Sequence, residues 1–350
     1  MRKEVSKMTQ TMKAAVIDTY KQPQPRLTDV LRPEIRPNDV LVKVIAASIN
    51  PIDLKTKDGG LKMLLTYDFP FIMGSDFAGI VEEVGPLVDK FHVGDAVYGR
   101  VQKERIGTFA EYLAVDSHAI ALKPTNTTFE EAASLPLVAL TSYQALQDLI
   151  KLQPGQKVFI SGGSGGIGTN AIQFAKSLGA QVATTTSAKN FDLVKSLGAD
   201  VMIDYHKTDF TEVLADYDAV LDTRGGKTLE DSFKIVKPGG KIVSIAGLPN
   251  QQFGKEYGLP LWKQTVLRFV TRNLTKLTKQ TGVSYQFLFM KPSGKQLEAI
   301  THLVEAGTIK PIIDRTYPFR KIDEALAYSE TGRATGKIIL QMSAESNNIE

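Results

Sequence analysis

Gly163, Ser164, Gly165, Gly166, Ile167 and Gly168 set a G-x-G-x-x-G spacing directly after the apolar β-formers Val158–Phe159–Ile160. Ala171, Ile172, Phe174, Ala175 and Leu178 follow at helical spacing. A strand, a glycine turn and a helix are the setting in which this spacing reads as a dinucleotide-binding loop. The glycines allow a tight turn and a close approach of backbone to a pyrophosphate. The helix start offers unpaired N–H groups and a partial positive charge. Without a ligand, the same string is an ordinary glycine-rich turn from strand to helix.

The following strand, Ala180–Thr185, runs into Thr186–Ser187–Ala188–Lys189–Asn190. An NAD site usually carries Asp or Glu here, about 20 residues past the glycines, to hold the ribose hydroxyls. This stretch has no carboxylate. A hydroxyl and a cation suit a 2′-phosphate, so NADPH is expected in preference to NADH. Lys189 is otherwise a solvated charge at a helix start, and as a point charge it discriminates less sharply than an arginine fork.

The elements needed to position this loop follow in order. Ala188–Leu197 is helical and Gly198 stops it. Val201–Ile203 and Ala219–Asp222 are strands, Leu229–Ile235 is a helix, and Lys241–Ile245 is a further strand. This alternation predicts an α/β fold with a doubly wound parallel sheet. Tyr205, Asp222–Thr223 and Ala246–Gly247–Leu248 follow strand ends, where such sheets bind ligands. Each reads equally well as a turn.

Composition narrows the function. With 350 residues the chain is long enough for two domains. It has no cysteine, which removes disulfides, thiolate chemistry and cysteine-based zinc sites. The four histidines, His92, His118, His206 and His302, show no metal-ligand spacing, and no metal is expected. No window reaches about 18 consecutive apolar residues, so no membrane-spanning helix is expected. Met1–Gln10 is polar and lacks the apolar core of a signal peptide. A flexible extension over residues 1–11 and a cytoplasmic location are the expectation.

The net charge of +4 is unevenly placed. Between 255 and 279, Lys255, Lys263, Arg268, Arg272, Lys276 and Lys279 face Glu256 alone. Leu259, Trp262, Val266, Phe269, Val270, Leu274 and Leu277 follow helical spacing, with the cations mostly opposite, so one basic amphipathic helix is predicted. A lid over a substrate cleft or a dimer contact is favoured over attachment to a membrane surface. No nucleic-acid motif accompanies the charge, and no nucleic-acid partner is expected.

The first third is different. Val40–Ala46, Gly79–Val84, Ala96–Gly99 and Thr108–Leu113 read as short strands between Pro and Gly turns, followed by a helical segment from Glu130 to Leu149. Within it lie Ala46–Ala47–Ser48–Ile49–Asn50–Pro51–Ile52–Asp53–Leu54–Lys55, Gly74–Ser75–Asp76–Phe77–Ala78–Gly79 and Val93–Gly94–Asp95–Ala96–Val97–Tyr98–Gly99. Ala132–Ala133–Ser134–Leu135–Pro136, Ala139–Leu140–Thr141–Ser142–Tyr143 and Pro238–Gly239–Gly240–Lys241–Ile242–Val243 follow. In these strings, from about Met12 to Leu340, the chain resembles the medium-chain dehydrogenase/reductase superfamily. The likeness is to its zinc-free branch of quinone oxidoreductases and enone reductases.

The resemblance implies a mainly β, GroES-like catalytic domain wrapped around a Rossmann domain. The first part would span 12–136, and the NADP-binding domain 137–288 with a basic helical insert at 252–282. The chain would then return through 289–350, with strands at Pro311–Ile313 and Lys337–Leu340. The active site would lie in the cleft between the domains. Zinc dehydrogenases of the superfamily carry Cys near Asn50 and His and Glu at Gly74–Ser75–Asp76, so zinc-alkoxide chemistry is not expected.

Further roles follow by the same match. Lys55 would polarise the acceptor carbonyl, helped by a hydrogen bond from Asn50; its alternative is a surface ion pair with Asp53 or Asp58. Gly163, Gly165, Gly166, Ile167, Ser187, Lys189, Asn190 and Tyr205 would hold the adenosine and phosphates, with Thr141 a further contact. Ala246, Gly247, Phe287 and Phe289 would flank the nicotinamide, and Lys337 would reach a phosphate. Tyr67 and Tyr143 are candidate proton donors. The expected activity is NADPH-dependent reduction of a quinone or α,β-unsaturated carbonyl by a homodimer. Enoyl-thioester reduction and a non-catalytic NADPH-binding module are the alternatives.

Overall fold

The computed structural model describes residues 10–342. Most of the expected extension at 1–11 lies outside the described residues, and Thr11 already opens the first strand. The chain divides into two compact units. One comprises the residues up to Leu137 with Lys291–Gly307 and those from Pro311 on; the other comprises Val138–Met290 with Thr308–Lys310.

The first unit is built on strands β1 (Thr11–Ile17), β2 (Arg26–Leu31), β3 (Asp39–Ile49), β4 (Phe71–Ile72), β5 (Asp76–Val84), β6 (Ala96–Arg100), β7 (Tyr112–Asp116) and β8 (Ile120–Leu122). β15 (Ile313–Pro318) and β16 (Lys337–Gln341) join them from the end of the chain. The larger sheet runs β15-β16-β3-β5-β6-β8, with β7 also paired to β3. β3 is almost wholly buried because Val, Leu, Ile and Ala supply both of its faces. Its side chains pack with Phe77, Phe109, Ile338 and Leu340 in one core. A small sheet, β2-β1-β4, completes the unit.

Three sequence expectations shift here. Thr108–Glu111 precedes the strand: Phe109 ties in by single bonds, its N–H to Met73 O (2.8 Å) and its carbonyl from Ala15 N (2.9 Å). The return strand begins at Ile313, after Pro311–Ile312. The segment from Glu130 to Leu149 breaks into helices Phe129–Ala133 and Pro136–Tyr143 and a wider π turn, Gln144–Ile150. Pro136 has no N–H to continue the first helix and is tolerated at the start of the second.

The second unit holds β9 (Lys157–Ile160), β10 (Gln181–Thr186), β11 (Val201–Asp204), β12 (Tyr217–Asp222), β13 (Val236–Ser244) and β14 (Ser284–Phe287). Their order is β11-β10-β9-β12-β13-β14, and every neighbouring pair is parallel. This is the 3-2-1-4-5-6 order of a doubly wound dinucleotide-binding sheet, and its direction reverses between β9 and β12. β14 was hidden in the sequence because Ser284–Phe287 is short and leads straight into the aromatic run.

The predicted helix over Leu259–Leu277 is two helices, Leu261–Val270 and Arg272–Thr281. Thr271 sits between them at φ −100°, buried, with Oγ1 donating to Leu267 O at 2.6 Å. This back-bonding competes with the helical ladder and bends it. The faces therefore differ from the single-helix reading: Gln264, Leu267 and Leu274 point inward, and the larger apolar side chains of the first helix point out.

Candidate functional site

In the second unit the glycine loop leaves β9 and enters the helix Gly166–Ser177. Gly162 takes a positive φ of 72°. Gly163 donates its N–H to Thr185 O (2.9 Å), and a Cβ there would collide with the Thr184 side chain. A Cβ on Gly168 would collide with the Gly162 carbonyl and lie 2.7 Å from Gly163 Cα. Gly165 starts the helix, and no side chain caps its first turn. The N–H groups of Gly166 and Ile167 thus point out of a turn whose geometry admits only glycine at two positions. This is the form of a pyrophosphate cradle, so the loop fits the group the sequence implies.

The ends of β10 and β11 bring the next candidates together. Thr186 pairs with Asp204, so Ser187 and Tyr205 emerge side by side. Ser187 Oγ accepts from Asn190 Nδ2 at 3.4 Å, Lys189 is exposed, and Tyr205 lies open against His206 with ring centroids 4.2 Å apart. Asp204, at the end of β11, accepts from the His206 N–H at 3.1 Å.

Asp222 has a role that its position at a strand end does not specify. It is fully buried and accepts from Ser244 Oγ (2.6 Å), Ser161 Oγ (3.3 Å) and the N–H groups of Arg224 and Gly225 (each 3.0 Å). Ser244 Oγ in turn accepts from Gly247 N at 2.8 Å and Ala246 N at 3.3 Å. One carboxylate therefore fixes the loop ends of β9, β12 and β13, where the strand order reverses. Phe287 and Phe289 join an aromatic group with Phe253 and Tyr257; Phe253 meets Phe287 edge-on at 5.1 Å. Thr141 is buried in its helix. Tyr143 rests on Phe174 at 5.4 Å.

In the first unit Asn50 follows β3 and caps the helix Pro51–Lys57, whose first position takes proline. It is expected to donate to the acceptor, but its donors are engaged elsewhere. Nδ2 donates to Asp76 Oδ2 (3.0 Å) and Ser48 O (3.3 Å), while Oδ1 accepts from Lys337 Nζ. Lys337, expected at a phosphate, is buried here. Its ammonium also donates to Ile49 O at 3.3 Å and lies 3.6 Å from Asp76 Oδ2. Burial lowers its pKa and raises that of Asp76, each opposed by the other's charge. Ser48 Oγ and Leu137 N complete the Asp76 shell at 3.1 Å each.

Around this cage sit further buried charges that sequence reading missed. Arg100 stands opposite Asp76 in the backbone register of β5 and β6, donates to Val101 O at 2.6 Å and leaves Nε without an acceptor among the described residues. Lys103 is buried, and burial pushes its ammonium down to about 7. Tyr67 donates its hydroxyl proton to Lys103 O at 2.7 Å, and burial raises its pKa, so it holds that proton. Lys55, by contrast, stands on the exposed side of its helix. Neither alternative partner takes it: Asp53 binds Ser75 and Asn50, and Asp58 pairs with Lys57 at 3.0 Å.

Asp53 is buried, and the loss of solvent raises its carboxyl to about 6. The folded chain therefore holds a proton that the unfolded chain releases near 4, and stability falls as pH rises between those values. Asp53→Asn keeps an acceptor for Asn50 N and lets Ser75 turn to donate elsewhere. It should remove up to about 3 kcal/mol of that slope. Denaturant unfolding at pH 4.5 and 7.5 measures it; an equal slope in both proteins would refute this account of Asp53.

Comparison with known proteins accords with this geometry. The family model of the alcohol dehydrogenase GroES-like domain matches residues 36–125, and that of the zinc-binding dehydrogenases matches 197–340. A 2-methylene-furan-3-one reductase of Solanum lycopersicum is 34% identical over 323 residues, 89% of this chain and 74% of the relative. The mitochondrial NAD(P)H oxidoreductase RTN4IP1 of Mus musculus is 36% identical over 358 residues, 95% of this chain and 89% of its own. The structure of the quinone oxidoreductase from Coxiella burnetii superposes with a TM-score of 0.81 at 32% identity, covering 95% of this chain and all of that one. Matched in both units and along nearly its whole length, the chain belongs to the medium-chain dehydrogenase/reductase superfamily, in the branch of the quinone oxidoreductases and enone reductases.

Proposed function

We propose that this chain is a zinc-independent, NADPH-dependent oxidoreductase that reduces quinones or α,β-unsaturated carbonyls. The observation that carries the cofactor choice is the end of β10. Ser187, Lys189 and Asn190 stand there beside Tyr205, and the stretch has no acid to hold ribose hydroxyls. Bound NADPH supplies the hydride. The glycine loop and the first turn of the helix Gly166–Ser177 receive its pyrophosphate, and Lys189 receives the 2′-phosphate. Ala246, Gly247 and the Phe287–Phe289 run keep the sheet's switch-point edge ordered and apolar.

Zinc independence rests on the donor set. Asn50, Ser75 and Asp76 stand where zinc dehydrogenases of the superfamily carry their ligands. Here an ammonium, Lys337 Nζ, rests against two of them, which satisfies Asp76 and opposes a second cation. Among the described residues no cluster of three or more His, Cys, Asp or Glu has metal-holding geometry. Asn50 then acts as a positioning residue that holds the start of the helix bearing Lys55. Lys55 remains the candidate to stabilise negative charge developing on the acceptor oxygen.

The test is a panel of quinones and enones with NADPH or NADH in chelated buffer. Turnover with NADPH and little with NADH is expected. Lys189→Glu should cut NADPH efficiency by about 10- to 100-fold, the loss of one charged hydrogen bond, and leave NADH nearly unchanged. Lys55→Met should lower kcat while NADPH affinity holds. Equal use of both cofactors by the parent enzyme, or activity only with added zinc, would overturn the reading.

A further inference from the structure

The helix Leu261–Val270 carries its apolar residues on the wrong side for a core. Leu261 is 79% exposed, Phe269 69%, Trp262 63%, Val270 46% and Val266 40%. Only Gln264 and Leu267 are buried. They hold the helix in place, close against Gly254, with Gln264 Nε2 donating to Leu259 O at 2.7 Å. At 100° per residue, Leu261, Trp262, Val266, Phe269 and Val270 cover one continuous half of the cylinder, and Lys263 and Arg268 stand at its two edges.

Cations dominate the charge around this face. Arg272 lies over the Phe269 ring at 5.3 Å, Lys263 over Trp262 at 5.6 Å, and Lys276 and Lys279 are exposed on the next helix. Among the described residues Arg268, Arg272, Lys276 and Lys279 have no carboxylate within ion-pair distance, and Glu256 is engaged by Gln252. A second copy related by a twofold axis would set these cations against their own images, a repulsion that counts against self-association here. A surface that is apolar at its centre and anionic around it is complementary. An anionic lipid bilayer offers both: acyl chains and interfacial space for Trp and Phe, and phosphate charge for Lys and Arg.

We propose that this face docks the protein onto an anionic membrane surface, with Leu261, Trp262 and Phe269 entering the interface and Lys263, Arg268, Arg272, Lys276 and Lys279 meeting headgroups. The docking is peripheral: no helix among the described residues is long and apolar enough to cross a membrane. It does not depend on the proposed activity, and the test uses none.

Trp262 is the only tryptophan of the chain, so its fluorescence reports this surface alone. With vesicles of phosphatidylcholine and phosphatidylserine at about 7:3, the emission should shift to the blue and the full-length protein should float with the vesicles. Pure phosphatidylcholine should give neither. Each neutralised cation should weaken binding by roughly fivefold, and high salt should release the protein. Leu261→Asp with Phe269→Asp leaves Trp262 in place and should abolish the blue shift. Circular dichroism and the melting temperature of that variant check that it is folded. No shift and no flotation with anionic vesicles, or equal binding by the Asp variant, overturns the proposal. So does a concentration-dependent dimer in sedimentation that the Asp variant loses, because it gives the face to a second copy.

Discussion

Lys337→Met should destabilise the protein by about 3–5 kcal/mol at pH 7.5, the cost of removing one partner from a buried ion pair. The substitution roughly keeps the volume and takes away the ammonium. Asp76, fully buried, is left with an uncompensated charge, and Asn50 Oδ1 loses the donor that holds it. The effect should shrink toward pH 5, because protonation of Asp76 becomes the cheaper state once its counter-charge is gone. Adding Asp76→Asn should recover part of the loss, since the amide carries no charge, its oxygen can still accept from Leu137 N, and its NH2 can donate to the Ser48 hydroxyl. Denaturant unfolding of the four proteins in this double-mutant cycle reads the coupling directly. Additive losses, with no recovery in the double variant, would show that Lys337 and Asp76 do not depend on each other.

The same cage shows where sequence reading stops. Lys337 opens β16, Asn50 directly follows β3 and Asp76 opens β5, and these three strands are neighbours in the sheet. The residues are 287 and 26 positions apart from Asn50 along the chain, so no local pattern joins them. Burial then reverses the naive reading of each side chain. A lysine near the end of a nucleotide-binding chain suggests a phosphate contact, but this one sits where its charge is needed to keep two strand ends together. Asp222 is the same case in the other unit: position at a strand end marked it, and only the register of β9, β12 and β13 shows that it knits the loops.

The glycine loop was legible because its chemistry is sequential. The strand, turn and helix follow one another within about twenty residues, and period-two and period-3.6 patterns announce them. The alternation beyond it carried the parallel sheet for the same reason. The basic segment was half legible. Its composition was plain from the sequence, and its helical period was real. But a helical wheel drawn through Thr271 assumes a straight axis, and the buried hydroxyl of Thr271 bends it. That bend separates the buried Leu274 from the exposed Trp262 and Phe269, which a straight wheel places on one stripe.

Gly168→Ala is the second large effect to expect, and it separates backbone fit from side-chain chemistry. The added Cβ would meet the Gly162 carbonyl and Gly163 Cα, which are backbone atoms of the turn itself. No rotamer change relieves that, so either the helix Gly166–Ser177 moves off β9 or the turn opens. Overpacking of this kind costs about 1–3 kcal/mol in stability. The larger consequence falls on the cofactor, because displacing the helix start moves the N–H groups of Gly166 and Ile167 away from the pyrophosphate. Affinity for NADPH should fall by on the order of 10-fold or more, and for NADH by the same factor, because both share that phosphate pair. Gly165→Ala is the control. Its Cβ would lie 3.5 Å from the nearest atom, an ordinary contact, so the fold should be undisturbed, and any lost affinity comes from crowding the cofactor itself. Titration calorimetry with both cofactors, beside thermal unfolding of the free proteins, distinguishes the two substitutions. Unchanged cofactor affinity in Gly168→Ala would mean that the pyrophosphate does not lie on this turn.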